Sequence, residues 1–291
     1  MQTMTLLNQT KIPVLGFGTY KITDPTLAKE SVTEAICRGY RHVDTAAFYE
    51  NEVAVGQAIR DTIAEGGLAR KDLFVTSKVW KTENTYDKVM ASFEKTMENL
   101  GLDYLDLYLV HWPASDAFDP DWKETNRQVW RAMIDIYRSG QVKAIGVSNF
   151  LVRHLETILE MEVLPMVDQI EINPGFLQRE TVDFCQKQGI IVEAWSPLGR
   201  GRIFDDPTLL SLANKYDKTV AQIALRWEHQ HDIVVLPKTV TPSRMTENMQ
   251  ILILNCLMMI WKRWMAWIPW GHRGIVRIRH RALRYKGCME E

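Results

Sequence analysis

Cysteine is scarce and scattered. The 291-residue chain has four, Cys37, Cys185, Cys256 and Cys288, with no CxxC pair, so neither a disulfide framework nor a zinc ribbon is suggested. Such thiol usage fits a reducing, cytoplasmic setting. Long apolar runs are missing too. No stretch reaches the ~18 uncharged apolar residues of a spanning helix, and the opening MQTMTLLNQTK lacks a basic region followed by an apolar one. Neither membrane insertion nor a secretory leader is therefore expected. Metal chemistry also lacks a basis: His229 and His231 stand close together but have no third ligand nearby. A large excess of one charge is absent overall, the formal net charge being -1. That balance hides an asymmetry, because residues 1–250 carry 27 Lys and Arg against 34 Asp and Glu, whereas 251–291 carry 8 against 2. The acidic main part repels phosphate backbones, which excludes a uniformly basic nucleic-acid binder.

What is present is a globular composition, 46% apolar and 24% charged, in a chain long enough for one large domain. Short β-branched or apolar runs predict strands at Val14–Thr19, His42–Thr45, Leu73–Lys78, Leu105–His111, Ala144–Ser148, Val167–Ile172, Ile190–Trp195 and Ile233–Pro237. Between them, apolar residues at three and four spacing predict helices at Thr26–Arg38, Glu52–Glu65, Tyr86–Leu100, Glu124–Arg138, Leu151–Met161, Arg179–Gln188 and Thr219–Glu228. Alternation of this kind means parallel strands with helical crossovers, either an open doubly wound sheet or a closed barrel. The count of eight strands favours an α/β protein of the (β/α)8 TIM-barrel class in a single domain over residues 1–250. The dinucleotide fingerprint GxGxxG also fails where it belongs, since Gly16-Phe17-Gly18-Thr19-Tyr20-Lys21 has lysine at the third glycine.

In such a barrel the site lies at the C-terminal ends of the strands. Those ends read Asp44, Lys78, His111, Ser148-Asn149, Gln169 with Glu171, Trp195-Ser196 and Lys238, and Tyr49 follows Asp44 in the next loop. Taken singly each has a bland role. A lysine after a strand is usually solvated, Asp44 suits a turn or a cap, Tyr49 suits packing, and His111 suits the core. Four such accidents at one end of one barrel are less credible than a device. An ammonium at Lys78 is expected to favour the phenolate of Tyr49 and lower its pKa, Asp44 to keep the lysine charged, and His111 to orient a carbonyl oxygen or share the proton. The product is a general acid aimed at a carbonyl.

With those residues in place the sequence resembles the aldo-keto reductase superfamily. The resemblance covers roughly residues 5–250 through PVLGFGTYKI, GYRHVDTAAFYENE, LFVTSKVW, LGLDYLDLYLVHWP, AIGVSNF, DQIEINP, AWSPLG and LPKTVTPSRMTEN. It implies an eight-stranded βα barrel that reduces carbonyls with NADPH by direct hydride transfer, with a catalytic tetrad on Asp44, Tyr49, Lys78 and His111 and Tyr49 as the acid. It implies cofactor contacts from Thr19, from Ser148, Asn149 and Gln169 to the carboxamide, and from Trp195 beneath the nicotinamide. Tryptophan at 195, where many members have tyrosine, resembles the prokaryotic branch of diketogluconate and methylglyoxal reductases. Ser196, Leu198 and Gly199 resemble the pyrophosphate loop, and Lys238, Thr239, Arg244 and Asn248 the adenosine end. Two cations near one spot suit a 2′-phosphate, hence NADP rather than NAD. Tyr20, Phe48, Trp80 and Trp112 would wall the substrate mouth, which suits a small carbonyl compound such as an aldehyde, ketoaldehyde or diketo sugar acid. A monomer is expected. The rival readings are a barrel that binds NADPH as a sensor with little turnover, and a Schiff-base aldolase using Lys78.

Residues 251–291 depart from this pattern. They hold four of the ten tryptophans, no aspartate, and arginine at 263, 273, 277, 279, 281 and 284. Reverse translation of ILILNCLMMIWKRWMAWIPWG with ordinary codons, moved back by one base, reads IFDFELSDDDMEKMDGMDTMG, an acidic strand-and-helix ending like those of the family. The tail is therefore expected to be the product of a one-base deletion just after the Gln250 codon. A membrane-surface segment or a nucleic-acid tail is the competing reading, and Lys262 and Arg263 interrupt the apolar stretch that the former needs.

Overall fold

Eight strands, each fully or largely buried, account for the apolar runs. In the computed structural model, which describes residues 1–253, they are β3 (Phe17–Gly18), β4 (His42–Asp44), β5 (Phe74–Val79), β6 (Leu107–Val110), β7 (Ile145–Ser148), β8 (Val167–Glu171), β9 (Ile191–Trp195) and β10 (Ile233–Leu236). All neighbours pair in parallel and in sequence order from β3 to β10. A parallel bridge between Leu15 and Val235 joins the two edges and closes the sheet into a barrel. Strands buried on both faces read as near-continuous apolar runs, as LYLV in β6 and IVVL in β10 do. Gly16 stands at the closure because a Cβ there would come within 2.5 Å of Leu236 Cδ2 and 2.9 Å of His42. The first glycine of the failed fingerprint thus serves barrel packing.

The helices α1 (Pro25–Cys37), α2 (Glu52–Ala64), α3 (Tyr86–Leu100), α4 (Trp122–Arg138), α5 (Val152–Leu155), α6 (Arg179–Gln188), α7 (Pro207–Tyr216), α8 (Val220–His229) and α9 (Pro242–Met249) follow the strands. Their starts are chemically marked. Asp24 accepts from Leu27 N ahead of Pro25, Asp206 accepts from Thr208 N and Leu209 N ahead of Pro207, and Thr219 and Gln222 form a reciprocal capping box. The helix expected over Leu151–Met161 is shorter than its periodicity suggests. After α5 the backbone tightens to bonds such as Thr157 N to His154 O (3.1 Å) and Ile158 N to Leu155 O (2.9 Å), while the Thr157 hydroxyl donates to His154 O. Helices α7 and α9 were not among the expected elements.

Nor was the N-terminal hairpin of β1 (Thr3–Thr5) and β2 (Lys11–Pro13). Its Leu6 and Ile12 are buried with Phe74, Leu107, Leu109, Val167 and Val234, sealing the N-terminal end of the barrel with apolar side chains. A larger core fills the layer between strands and helices. Residues Met1–Leu252 form one compact unit. The expected tail lies outside the described residues from 254 onward.

Candidate active site

At the opposite end of the barrel, Lys78, next to last in β5, is fully buried. A lysine there is costly unless paired, and its Nζ donates to Asp44 Oδ1 (2.7 Å), Asp44 Oδ2 (2.8 Å), Thr45 O (2.8 Å) and Tyr49 Oη (3.3 Å). Asp44 ends β4, and the chain then turns through a single helical turn, Ala47–Tyr49, which presents Tyr49 to the lysine. Asn51 anchors that turn. It accepts from the Thr45 hydroxyl at 2.8 Å and donates to the carbonyls of Thr19 and Ile22 at 3.0 and 3.1 Å. Since an ammonium only donates, Tyr49 Oη is the acceptor toward Lys78, and its own hydrogen remains available for another acceptor.

The electrostatics correct one expectation. Tyr49 is held well above the ordinary tyrosine value, first by burial and then by the Asp44 charge and by Tyr20. The lysine's pull toward phenolate does not prevail, so the phenol keeps its proton. His111 follows β6 and is pushed well below the ordinary histidine value by burial and by the Lys78 charge, which leaves it neutral at physiological pH. Its ring meets Tyr49 edge-on at 5.6 Å and Trp80 at 5.0 Å. The arrangement holds one buried cation, one carboxylate, one protonated phenol and one neutral imidazole at a single mouth.

Beside it lies a polar cluster from β7, β8 and β9. The Ser148 hydroxyl donates to Gln169 O (2.7 Å), and Asn149 Nδ2 donates to His111 O and Ser148 Oγ (both 3.0 Å). Trp195 Nε1 donates to Asn149 Oδ1 at 2.9 Å. Gln169 Nε2 donates to Asp44 Oδ2 (2.9 Å), tying the cluster to the ion pair. Asn149 and Ser196 both adopt left-handed backbone, with φ of 63° and 50°, a conformation that costs free energy and recurs at functional turns. Thr19 is buried next to Asp44, donating its hydroxyl to the Asp44 carbonyl at 3.0 Å.

Beyond the β9 turn, where Gly199 N donates to Ser196 O at 2.9 Å, a cavity of about 430 Å³ opens. Leu198, Lys238, Thr239, Arg244 and Asn248 line it together. Its lining also includes Arg200, Phe204 and Glu247, which the sequence reading did not single out. Arg200 lies 5.5 Å over the Trp195 ring and so connects this cavity with the strand end. Cationic side chains with hydroxyl and amide donors form a donor set suited to phosphate.

The aromatic side chains gather around Tyr49 and His111. Phe48 and Trp80 stack at 3.8 Å, and Tyr20 meets Tyr49 at 5.0 Å. Phe48 and Tyr20 are 46% and 43% exposed, which leaves apolar surface open to a ligand at this mouth. Trp112, half-buried, adjoins His111 in the chain. Among the described residues no group of three potential metal ligands occurs, and no helix is long and apolar enough to cross a membrane.

The structure is thus a closed βα barrel that gathers a tyrosine, a lysine paired with an aspartate, and a histidine at one mouth. The sequence profile of the aldo/keto reductase family matches residues 14–258, and the chain belongs to that family. It is 46% identical over 250 residues to a glyoxal reductase of Bacillus subtilis (strain 168), covering 86% of each chain. It is 44% identical over 248 residues to an oxidoreductase, YtbE, of the same organism, covering 85% of this chain and 86% of the relative. Among solved structures, an aldo/keto reductase from Brucella melitensis superposes with a TM-score of 0.79 at 42% identity, over 87% of this chain and 94% of that one. An aldo-keto reductase from a deep-sea metagenome library gives 0.80 at 38% identity, over 86% and 89%. The chain is thus an oxidoreductase of a family that reduces carbonyls to alcohols.

Proposed function

We propose that this chain reduces small aldehydes, ketoaldehydes or diketo sugar acids with NADPH, as a cytoplasmic monomer, with Tyr49 as the general acid. The observation that carries the reading is the hydrogen bond from Lys78 Nζ to Tyr49 Oη, made by a lysine whose other bonds go to Asp44 and Thr45 O. When bound, the nucleotide supplies a hydride to the carbonyl carbon. The rest falls to the protein. As negative charge builds on the carbonyl oxygen, the Tyr49 proton moves to it, and the charge left on Tyr49 Oη is met by the ammonium 3.3 Å away. A phenol that stays protonated in the resting site is the right species for this step, because the developing alkoxide is a much stronger base. Neutral His111 donates one N–H to the same oxygen and fixes its direction.

Ser148, Asn149 and Gln169 would hold the nicotinamide carboxamide, Trp195 the ring, Thr19 the floor beside Asp44, and Ser196, Leu198 and Gly199 the pyrophosphate. Lys238, Thr239, Arg244 and Asn248 would hold the adenosine end, the two cations meeting a 2′-phosphate. Tyr20, Phe48, Trp80 and Trp112 would wall the substrate. The aldolase alternative needs a neutral lysine, which the bidentate Asp44 contact to Lys78 disfavours. The test is NADPH and NADH oxidation with methylglyoxal and diketogluconate. Turnover with a marked NADPH preference supports the reading, whereas borohydride trapping of substrate on Lys78 without nucleotide oxidation contradicts it.

We further propose that the barrel ends near residue 250 and that 251–291 is read from a shifted frame. The restored-frame protein is then expected to melt higher and turn over faster than this chain. Equal melting and activity of the two would remove the idea.

A further inference from the structure

One buried acid lies directly below the site and takes no part in the chemistry described so far. Glu193, in the middle of β9, is fully buried and stands in register with Gln169 on β8. Its Oε2 accepts from Gln169 Nε2 at 3.0 Å, while the other hydrogen of that amide goes to Asp44 Oδ2 at 2.9 Å. An amide nitrogen carries two hydrogens, so both are used, and the Gln169 side chain is clamped between two carboxyl groups. Glu193 Oε1 has no hydrogen-bond partner and lies 3.8 Å from His42 Nε2, which contacts Thr76 Oγ1 at 3.0 Å. An acid with an unsatisfied oxygen in a barrel core costs stability that an apolar residue would not.

We propose that Glu193 is a positioning residue for the reduction: its carboxyl fixes the Gln169 amide against Asp44 and so keeps the Asp44 carboxylate committed to Lys78. This rests on the reading that Lys78 prepares Tyr49. The titratable and charged groups facing Glu193 are His42 and Asp44 from β4 and Lys78 from β5, with neutral Gln169 on β8; its partner in register on β10, Val234, is apolar. Burial, followed by the Asp44 charge, raises its pKa to about 8, against the lowering effects of Gln169 and Lys78. Burial and Lys78 lower His42 to about 3, so the histidine offers no counter-charge. At neutral pH the layer therefore balances Asp44 against Lys78 alone. Ionisation of Glu193 adds a second anion, which competes for the lysine and weakens its hold on Tyr49.

The test compares the pH dependence of NADPH-driven methylglyoxal reduction by the full chain with its Glu193→Gln and Glu193→Leu variants. The unmutated chain is expected to lose kcat as pH rises through about 8. Glutamine keeps an acceptor for Gln169 but cannot ionise, so the alkaline loss disappears. Leucine strips the acceptor and lowers kcat about tenfold, roughly the worth of one hydrogen bond, with the carbonyl KM little changed. Superimposable profiles for the unmutated chain and Glu193→Gln overturn the proposal, as does full kcat in Glu193→Leu. If the unmutated chain turns nothing over, the functional reading fails on its own, and infrared spectra decide for Glu193. A protonated-carboxyl band that titrates near pH 8 and is missing from Glu193→Gln supports the proposal; identical spectra overturn it.

Discussion

The two ends of the barrel interior use the same strands and the same alternation of side chains, yet hold opposite chemistry. At the N-terminal end Phe74, Leu107 and Val167 pack with Leu6 and Ile12 of the hairpin. Four residues further along β5 from Phe74 stands Lys78, two along β8 from Val167 stands Gln169, and just past β6 stands His111. A period of two carries each strand from a dry plug to a charged mouth within one short element. The plug satisfies its packing. The mouth retains an unpartnered atom at His111 Nδ1 and the layer beneath it another at Glu193 Oε1, together with left-handed backbone at Asn149 and Ser196. The barrel interior is thus apolar at one end and polar at the other.

Separate substitutions can break that division. The largest effect is expected for Lys78→Met, which strands the buried Asp44 carboxylate and costs about 3–5 kcal/mol. Denaturant unfolding would register this loss, and turnover per folded molecule would fall with it. Leu107→Ala, in the plug, is expected to cost about 2–5 kcal/mol through its cavity while kcat per folded molecule stays unchanged. Loss of kcat in that variant would mean the two ends are coupled.

The pH dependence of melting is a smaller effect that probes both kinds of buried group. Glu193 is raised from 4.5 to about 8, so its contribution is complete below 4.5 and is lost as pH rises through 8. Asp168 and Glu228, raised by burial, act in the same direction. His42, lowered from 6.5 to about 3, contributes fully above 6.5 and loses its contribution as pH falls toward 3. His154 and His231, lowered to about 4, reinforce that side. The melting temperature should peak between 4.5 and 6.5. A peak well above that interval would show that these acids are charged in the folded protein.

The mouth was easier to read in the sequence than the layer beneath it. Polar residues that end apolar runs, such as Lys78 and His111, advertise themselves because strand ends are where a barrel places its site. Glu193 and His42 sit inside runs that read as ordinary strands, and nothing local shows that their side chains face inward. Arg200 and Phe204 come from a loop whose course depends on tertiary packing. The hairpin was missed because strands of three residues, TMT and KIP, carry too little pattern, although Asp206-Pro207 was a usable start signal for α7. The direction of the Tyr49 shift was misjudged for a related reason: pairing with Lys78 can be inferred from motifs, but depth of burial cannot.

Tyr49 is proposed as the proton donor at a site built to bind nucleotide without it. The most direct measurement pairs NADPH binding, followed by nucleotide fluorescence, with methylglyoxal turnover for the unmutated chain and Tyr49→Phe. In the variant, NADPH affinity is expected to stay within about twofold and turnover to fall by about 10²–10⁴. Turnover close to that of the unmutated chain would contradict that role.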